Sequence, residues 1–295
     1  MIYRTVSDAE FRDIASRILY EDNHILVFDK RPGEIVQADK TGDECLAETL
    51  KAFVALRDGK PGRVFMGVPH RLDRPVGGIT LFAKTSKALD RLGAMFREGG
   101  VHKTYWALCC HAPKEPHGTL TDWLVRNEKQ NKSFVVGGPR KDAKEARLIY
   151  THLADTDRYA LLEVELLTGR HHQIRCQLSH MGCPIKGDLK YGAPRSNADG
   201  GISLLSRRIR FIHPVKQTEI DLTAPVPSSW KGIPPPLSDN REATESRTHS
   251  EGVCPVFTLN AMLNDTTEWK PDFSDTSTSL RFGFSFSKAV AYWMR

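Results

Sequence analysis

The sequence predicts an α+β protein with a mixed sheet. Strand-like and helix-like segments alternate between residues 18 and 230 without internal repeats. Some neighbouring segments are joined by links of hairpin length and others by helices, which is typical of a mixed sheet. The chain has 295 residues, of which 40% are hydrophobic and 26% charged, so it is long enough for one or two domains with a sizeable core.

Three zones divide the chain. Residues 1–17 are predicted to form a helical lead-in, and residues 18–232 the main domain. The Pro-rich stretch after Trp230 predicts a break in regular structure. Residues 233–295 are predicted to be a poorly ordered C-terminal extension, because 237–295 contains 15 Ser and Thr among 59 residues and shows no sustained periodicity.

The first half of the main domain contains two apolar runs that predict buried strands. One covers 24–30 and ends in a turn sequence, and the other covers 78–84. A helix is expected after the second run, with Ser86 as its N-cap. The apolar stripe of this helix consists of Leu89, Leu92 and Phe96.

The second half repeats this alternation. Strand character resumes at 102–110, where Lys103 and Tyr105 are expected to point to one face. The run 160–167 alternates apolar and charged residues, as a half-buried strand does. The chain then turns at 168–170 into a helix whose apolar positions are Ile174, Leu178 and Met181.

Charge favours a polyanionic partner without proving one. The formal net charge is +6, and the last 59 residues hold 6 basic and 8 acidic side chains. The first 236 residues therefore hold 36 basic and 28 acidic side chains. Nucleic acid is the leading candidate for the partner of such a basic body. Charge alone fits a basic protein without a polyanionic partner about equally well.

Composition also limits the location of the protein. No apolar run reaches the length of about 18 residues that a membrane span needs. The N-terminus carries charges throughout and lacks the apolar core of a secretory signal. Six cysteines without CxxC spacing predict reduced thiols, and we expect a cytoplasmic protein that does not contact a membrane.

The densest polar cluster is the loop 70–78, with the sequence HRLDRPVGG. Its charged residues Arg71, Asp73 and Arg74 lie just before a predicted buried strand, where charges need partners. A carboxylate in this place can serve as nucleophile, base or structural anion. The spacing alone favours a simpler interpretation, which is a solvated turn with local ion pairs.

A second cluster, TGRHHQIR at 168–175, lies at a strand-to-helix junction. Helix N-terminal amides together with Arg170 and Arg175 favour an anion such as a phosphate or the carboxylate of Asp73. The simpler alternative is a first helical turn with its basic residues in solvent. No metal site is predicted, because zinc-type spacing is missing among the nearby histidines, His171, His172 and His180.

Tyr105 is a third candidate. A tyrosine in this strand can stack on a base or move a proton. In isolation, a core tyrosine with a satisfied hydroxyl group is the commoner case.

Together these clusters resemble the RluA family of RNA pseudouridine synthases. HRLD at 70–73 followed by GRHHQIR at 169–175 is highly specific as a pair. The sequence departs from the common pattern after HRLD, where the family often has xxTSG, and at KRPG, which is one residue longer than KPxG. Neither change touches a charged catalytic group. The segments that carry the resemblance are, in family order, 18–33, 69–88, 102–108, 162–192 and 209–230.

The resemblance implies a pseudouridine synthase fold, with a mixed, mainly antiparallel central sheet flanked by helices and loops. Only 17 residues precede the first motif, so the S4 RNA-binding domain of many members is not expected. The implied reaction isomerises specific uridines to pseudouridine in structured RNA, and the partner is expected to be a stem-loop of ribosomal or transfer RNA. No cofactor is expected, because the reaction needs no redox change and no external group. A monomer is favoured, because no coiled-coil heptad is present.

The resemblance also implies roles for individual residues. Asp73 matches the catalytic aspartate, and Tyr105 matches a tyrosine expected to stack on uracil and help in proton transfer. Arg175 matches an arginine expected to pair with Asp73 through a two-pronged guanidinium and to favour the ionised carboxylate. The base must leave its stack to reach this site. RNA contacts are expected from His70, which alternatively braces its loop, and from Arg71, Arg74, Arg170, His172 and Gln173.

Two alternatives remain open at this stage. One is a non-catalytic RNA-binding module of the same fold that acts in RNA maturation. The other is a hydrolase that uses Asp73 with His171 or His172 on a small ester or glycoside. The sequence lacks both the G-x-S-x-G motif and an obvious pair of catalytic carboxylates, which disfavours the hydrolase.

Overall fold

A computed structural model of the protein describes residues 3–38, 42–60 and 62–234. Its helices are α1 (Asp8–Ser16), α2 (Leu46–Arg57), α3 (Ser86–Glu98) and α4 (Gln173–His180), with a short 3₁₀ helix at Leu189–Tyr191. Its strands are β1 (Ile18–Glu21), β2 (Ile25–Lys30), β3 (Gly77–Ala83), β4 (Val101–Cys109), β5 (His117–Asn127), β6 (Lys132–Val136), β7 (Ala143–Asp155), β8 (Ala160–Leu166), β9 (Leu204–Ile212) and β10 (Glu219–Thr223).

The ten strands form one sheet in the order β1-β2-β3-β9-β4-β8-β7-β5-β6, with β10 paired to β9. Within the described ranges the only parallel pair of strands is β3 with β9. The predicted α+β fold with a mixed, mainly antiparallel sheet is therefore confirmed. The parallel pair matters for the site, because it holds the end of the HRLD loop against β9 at Gly77 and Gly78.

Strand β2 is buried on both sides, as its continuous apolar run predicts. Leu26 and Phe28 pack in a cluster with residues of α1 and α2. Their neighbours Ile25 and Val27 pack in a second cluster with residues of α3. Successive side chains of a strand point to opposite faces, so helices cover both faces of the sheet at this end.

Two predicted boundaries shift by a few residues. The N-terminal helix is shorter than the predicted 1–17, because Ser7 caps α1 by accepting a hydrogen bond from the amide of Glu10. The N-cap of α3 is Thr85 rather than Ser86, since the Thr85 hydroxyl accepts the amide hydrogen of Ala88. The end of α3 at a left-handed Gly99 agrees with the sequence.

Packing continues at Ile233, one residue past the predicted end of the main domain at 232. Ile233 packs in a buried cluster with Trp230, Trp106 and Leu161. The predicted disorder of the C-terminal extension concerns residues 235–295, which lie outside the described residues.

The described residues contain free cysteines and no helix that could span a membrane. Each described cysteine is a free thiol, namely Cys45, Cys109, Cys110, Cys176 and Cys183. In the described part of the chain, every helix is too short or too polar to cross a membrane.

Gly78 is the position where the sheet most clearly requires glycine. Its φ is +100°, and a Cβ there would collide with the carbonyl oxygen of Ser206 and lie 2.8 Å from the Ser206 nitrogen. Both partners are backbone atoms in a sheet, so neither can move aside cheaply.

We predict that Gly78→Ala lowers the free energy of unfolding by about 3 kcal/mol, from backbone strain and overpacking together. Urea denaturation of the purified protein measures this change. Gly138→Ala is the matched control, because a Cβ at Gly138 meets no atom within 4 Å. Equal denaturation midpoints for the two variants would contradict this account of the β3–β9 contact.

Asp29 on β2 is a largely buried carboxylate. None of the described residues forms a hydrogen bond or an ion pair with the side chain of Asp29. Burial raises the pKa of Asp29 to about 6, and the positive charges of Arg17 and Arg31 only partly oppose this effect. The folded state therefore binds this proton more tightly than the unfolded state does, and ionised Asp29 destabilises the fold.

We predict that Asp29→Asn raises the free energy of unfolding by about 2 kcal/mol at pH 7.5. The gain is present above pH 6 and is lost as the pH falls through 6 towards 4, where both states bind the proton. Chemical denaturation at pH 7.5 and pH 4 measures both values. A variant that is no more stable than the wild type at pH 7.5 would refute the destabilising role of Asp29.

Candidate active site

A groove of about 1140 Å³ contains all three sequence clusters. The HRLD loop, β4 and the turn before α4 line it, so Asp73, Tyr105 and Arg175 meet in one place. Pockets for small ligands measure roughly 300–1000 Å³. The size of the groove therefore suits part of a polymer better than a small metabolite.

The groove wall is strongly basic. Its described lining contains eight Lys or Arg residues but only two carboxylates, Asp73 and Glu165. This excess of positive charge attracts a polyanion and increases its local concentration. The basic residues are Arg71, Arg74, Arg97, Lys103, Arg126, Arg170, Arg175 and Lys190.

Lys30 holds the backbone around Asp73. Its side chain is almost fully buried, with 1% of the residue exposed. Its Nζ donates to the carbonyl oxygens of Arg31 at 3.0 Å, Arg74 at 3.0 Å and Val76 at 2.6 Å. Burial lowers the pKa of Lys30 to about 8. The ammonium thus ties the end of β2 to the loop, while 32% of the Asp73 side chain stays exposed to the groove.

Arg175 on α4 links Asp73 to a second, deeply buried carboxylate. Its Nε and Nη2 donate to Oδ2 and Oδ1 of Asp188 at 2.6 and 2.8 Å. Its Nη1 donates to Oδ2 of Asp73 at 3.2 Å. The expected pairing of Arg175 with Asp73 is therefore present, but the two-pronged contact is made with Asp188 and only one nitrogen reaches Asp73. The reason is that Asp188 faces the Nε edge of the guanidinium and is 1% exposed.

His172 lies at the N-cap of α4 in the left-handed conformation, with φ +52°. Burial, reinforced by the charge of Arg175, lowers the pKa of His172 to about 2, so the ring is neutral. Its Nε2 accepts from Nη1 of Arg175 at 3.1 Å, which leaves Nδ1 to donate to the hydroxyl of Tyr191 at 3.0 Å. Both hydrogens of Nη1 thus have acceptors, one on His172 and one on Asp73. A left-handed non-glycine residue is a source of backbone strain, and such strain is often found at functional sites.

The neighbouring His171 is also held by hydrogen bonds. Its ring stacks on that of His172 with 3.8 Å between centroids. Its Nδ1 lies 2.9 Å from the Ser133 hydroxyl and its Nε2 lies 3.1 Å from Oδ1 of Asn131. Across residues 3–38, 42–60 and 62–234, the His, Cys, Asp and Glu side chains form no group of three or more that could hold a metal.

Tyr105 is buried on β4, with 7% of the residue exposed. Burial raises the pKa of Tyr105 to about 12, with a smaller contribution from the charge of Asp73 and an opposing hydrogen bond with Ser206. The phenol therefore keeps its proton at neutral pH and presents a ring to the groove. Both properties suit a residue that stacks on a base and holds a proton.

His70 braces the HRLD loop. Its Nε2 accepts the amide hydrogen of Leu81 at 2.9 Å, and its ring stacks on Phe96 of α3 with 4.7 Å between centroids. Burial lowers the pKa of His70 to about 3, and the charge of Lys103 adds to this effect. The ring is therefore neutral and fixed, which favours the bracing alternative, and its contact with RNA stays a prediction.

The other predicted RNA contacts differ in their surroundings. Arg71 is exposed and has no ion pair or hydrogen bond with the described residues, so it is available to a ligand. Arg74 donates to the carbonyl oxygen of Gly33 and pairs with Asp43 at 2.7 Å. The Nε of Arg170 donates to the carbonyl oxygen of Glu145.

Gln173 is buried, with 3% of the residue exposed. Its amide bonds the carbonyl oxygen of Arg147, the hydroxyl of Thr168 and the amide of Arg170. These bonds fix the turn before α4, and the binding of RNA by Gln173 stays a prediction.

Sequence reasoning did not assign roles to Asp188, Tyr191 or Lys30. Asp188 and Tyr191 lie in GDLKYG, inside a segment that carries the family resemblance, and Lys30 begins KRPG. A buried arginine needs a buried acceptor, so a search for a carboxylate partner of Arg175 would have drawn attention to Asp188.

The sequence profile described as RNA pseudouridylate synthase matches residues 24–180, which is more than half of the chain. The chain therefore belongs to the RNA pseudouridylate synthase family, and the predicted family and isomerase activity are confirmed.

Individual relatives agree with this assignment. The ribosomal large subunit pseudouridine synthase C of Vibrio vulnificus is 32% identical over 239 residues, which cover 79% of this chain and 72% of the relative. The tRNA pseudouridine synthase C of Vibrio parahaemolyticus is 29% identical over 234 residues, 73% of this chain and 92% of the relative. The solved structure of human RNA pseudouridylate synthase domain containing 4 shares the fold, with a TM-score of 0.64, 24% identity and coverage of 75% and 92%.

We predict that Asp188→Asn lowers the free energy of unfolding by about 3 kcal/mol, because it leaves the buried charge of Arg175 without its two-pronged partner. Chemical denaturation measures the change. Asp142→Asn is the matched control, since Asp142 pairs with Arg140 at an exposed site and such pairs contribute about 1 kcal/mol or less. Similar losses in both variants would show that Asp188 has no special role.

Proposed function

We propose that Asp73, Arg175 and Tyr105 carry out the isomerisation of uridine in a ribosomal or transfer RNA. The observation that carries the assignment is the contact between Arg175 Nη1 and Asp73 Oδ2 at 3.2 Å, inside a basic groove that Tyr105 also lines. The names of the relatives support both substrate classes, since some act on the large ribosomal subunit and others on tRNA.

Asp73 acts on the sugar carbon C1′. Arg175 holds its Oδ2, whereas Oδ1 has no hydrogen-bond partner among the described residues and is free to approach a ligand. The ionised carboxylate either attacks C1′ or stabilises the positive charge that develops there as the C1′–N1 bond breaks. The uracil then turns and rejoins C1′ through C5, which releases Asp73 from C1′. C5 gives up its proton and N1 takes one up, so the isomerisation involves no net gain or loss of protons.

Tyr105 and Arg175 support these steps in different ways. The ring of Tyr105 stacks on the uracil while the base is detached, and its protonated hydroxyl takes part in the proton transfer. Arg175 orients Asp73, because its Nη1 donates to Oδ2 of that carboxylate at 3.2 Å. The target uridine must leave its stack, which costs least in a loop or a single strand.

We predict that Asp73→Asn lowers turnover at least about 10³-fold while leaving the affinity for RNA nearly unchanged, since only the reactive oxygen is lost. Tritium release from RNA labelled at C5 of uridine measures turnover, and filter binding measures affinity. Glu165→Gln is the matched control, because it removes the other carboxylate of the same groove. Full activity of Asp73→Asn would overturn the proposed mechanism.

Pseudouridine mapping of total RNA identifies the substrate. Three strains are compared, namely a deletion, the deletion rescued with the intact gene, and the deletion rescued with Asp73→Asn. One or a few sites should vanish in the deletion and return only with the intact gene. RNA maturation that Asp73→Asn restores without any modification would favour the non-catalytic RNA-binding role.

A further inference from the structure

Lys103 is a cation in the groove wall that the proposed chemistry does not use. It lies on β4, two residues before Tyr105, and it is partly buried. Its Nζ lies 5.5 Å from the ring centroid of Phe96 in α3. On the other side, a Cβ added to Gly169 in the turn before α4 would lie 3.9 Å from the same nitrogen. The ammonium is thus held between α3 and the turn before α4.

Lys103 also lies close to the loop that carries Asp73. The ring of Phe96 contacts the ammonium of Lys103 and is stacked on the ring of His70. The charge of Lys103 is near enough to His70 to lower the pKa of that histidine further. His70 begins the HRLD sequence, so Lys103 lies beside the start of the catalytic loop.

No internal anion neutralises this cation within the described ranges. Lys103 has neither an ion pair within 4.0 Å nor a hydrogen bond there, and its contact with Phe96 is made to an aromatic ring. Arg175, which lines the same groove, has in contrast two carboxylate partners, Asp73 and the buried Asp188. Burial lowers the pKa of Lys103, and no carboxylate offsets this effect.

A partly desolvated cation without a partner costs folding free energy unless a ligand supplies the counter-charge. The ligand proposed for this groove is RNA, and its most abundant anions are the phosphates of the backbone. A neutral uracil carbonyl would leave the charge of Lys103 uncompensated, and Asp73 is already paired with Arg175. A phosphate therefore fits the position of Lys103 better than either group.

We propose that Lys103 binds a backbone phosphate next to the target uridine and so positions the nucleotide against Asp73. This inference rests on the proposed function and adds a specific phosphate contact to it. Lysine suits the contact because its ammonium acts as a point charge with three donors and needs no planar partner. The contact positions the RNA chain, whereas it carries no direct information about base sequence.

The test uses the full chain carrying Asp73→Asn, so that the probe RNA is not converted during the measurement. Lys103→Met and Lys103→Arg are added to this background, and Lys114→Met serves as the control because Lys114 is exposed and lies outside the groove lining. The probe is a stem-loop RNA with uridines in its loop. Its affinity is measured by fluorescence anisotropy at salt concentrations between roughly 50 and 300 mM. Phosphate contacts make the affinity fall steeply over this range, so the slope can be determined.

Loss of the phosphate contact should weaken binding about tenfold in the Lys103→Met protein. The slope of log affinity against log salt should fall by about 0.7–0.9, which corresponds to one phosphate contact. Lys103→Arg should restore most of the affinity, and Lys114→Met should stay within about twofold of the parent. The free energy of unfolding of Lys103→Met should not fall, because methionine removes a buried charge rather than an internal ion pair.

A second probe locates the phosphate. One linkage on either side of the loop uridine is replaced by an uncharged methylphosphonate, and the affinities form a double-mutant cycle. At one of the linkages, the methylphosphonate should weaken RNA binding by the Asp73→Asn protein about tenfold. The same replacement should not weaken binding further in the protein that also carries Lys103→Met. Equal losses in both proteins at every linkage, with equal salt slopes, would overturn the inference while leaving the proposed function intact. Absence of RNA binding by the parent itself would refute the proposed function and this inference with it.

Discussion

The buried guanidinium of Arg175 is the interaction on which the site depends. Asp188 holds its Nε and Nη2, so the remaining nitrogen, Nη1, points at Asp73 and His172 in a fixed direction. Because the fork of the guanidinium is rigid, fixing one edge also fixes the other. The position of the Asp73 carboxylate is therefore coupled to that of Asp188, which is 1% exposed. The neutral ring of His172 accepts the other hydrogen of Nη1 without adding charge.

A second buried cation, Lys30, fixes the backbone of the loop that carries Asp73. Lys30 binds three carbonyl oxygens around the loop, and the close approach of Gly78 to Ser206 joins the loop end to β9. These contacts involve the backbone of the loop and not the Asp73 side chain. The fold thus separates two tasks, because backbone hydrogen bonds set where the loop lies, whereas Arg175 sets the direction of the carboxylate.

The sequence predicted the fold class and several elements of the main domain, because apolar runs and turn residues report local structure directly. Helix α2 and strands β5, β6 and β7 were not among the predicted elements. The strands over 24–30, 102–110 and 160–167 and the helix before Gly99 correspond closely to observed elements. The errors were local as well. Thr85 and Ser86 are adjacent residues that both suit an N-cap, and only the backbone geometry selects Thr85.

The sequence by itself determined the family and the three polar clusters, since motif order and residue type suffice for these. The pairing of Asp73 with Arg175 was an expectation that came from the family resemblance. Only the tertiary structure decided how the pairing is made. Arg175 and Asp73 are separated by 102 positions in the chain, and the choice between two carboxylates depends on which edge of the guanidinium each one faces. The same holds for Lys103, which has no ion-pair partner among the described residues, because α3 and the turn before α4 bring an aromatic ring and a glycine beside it.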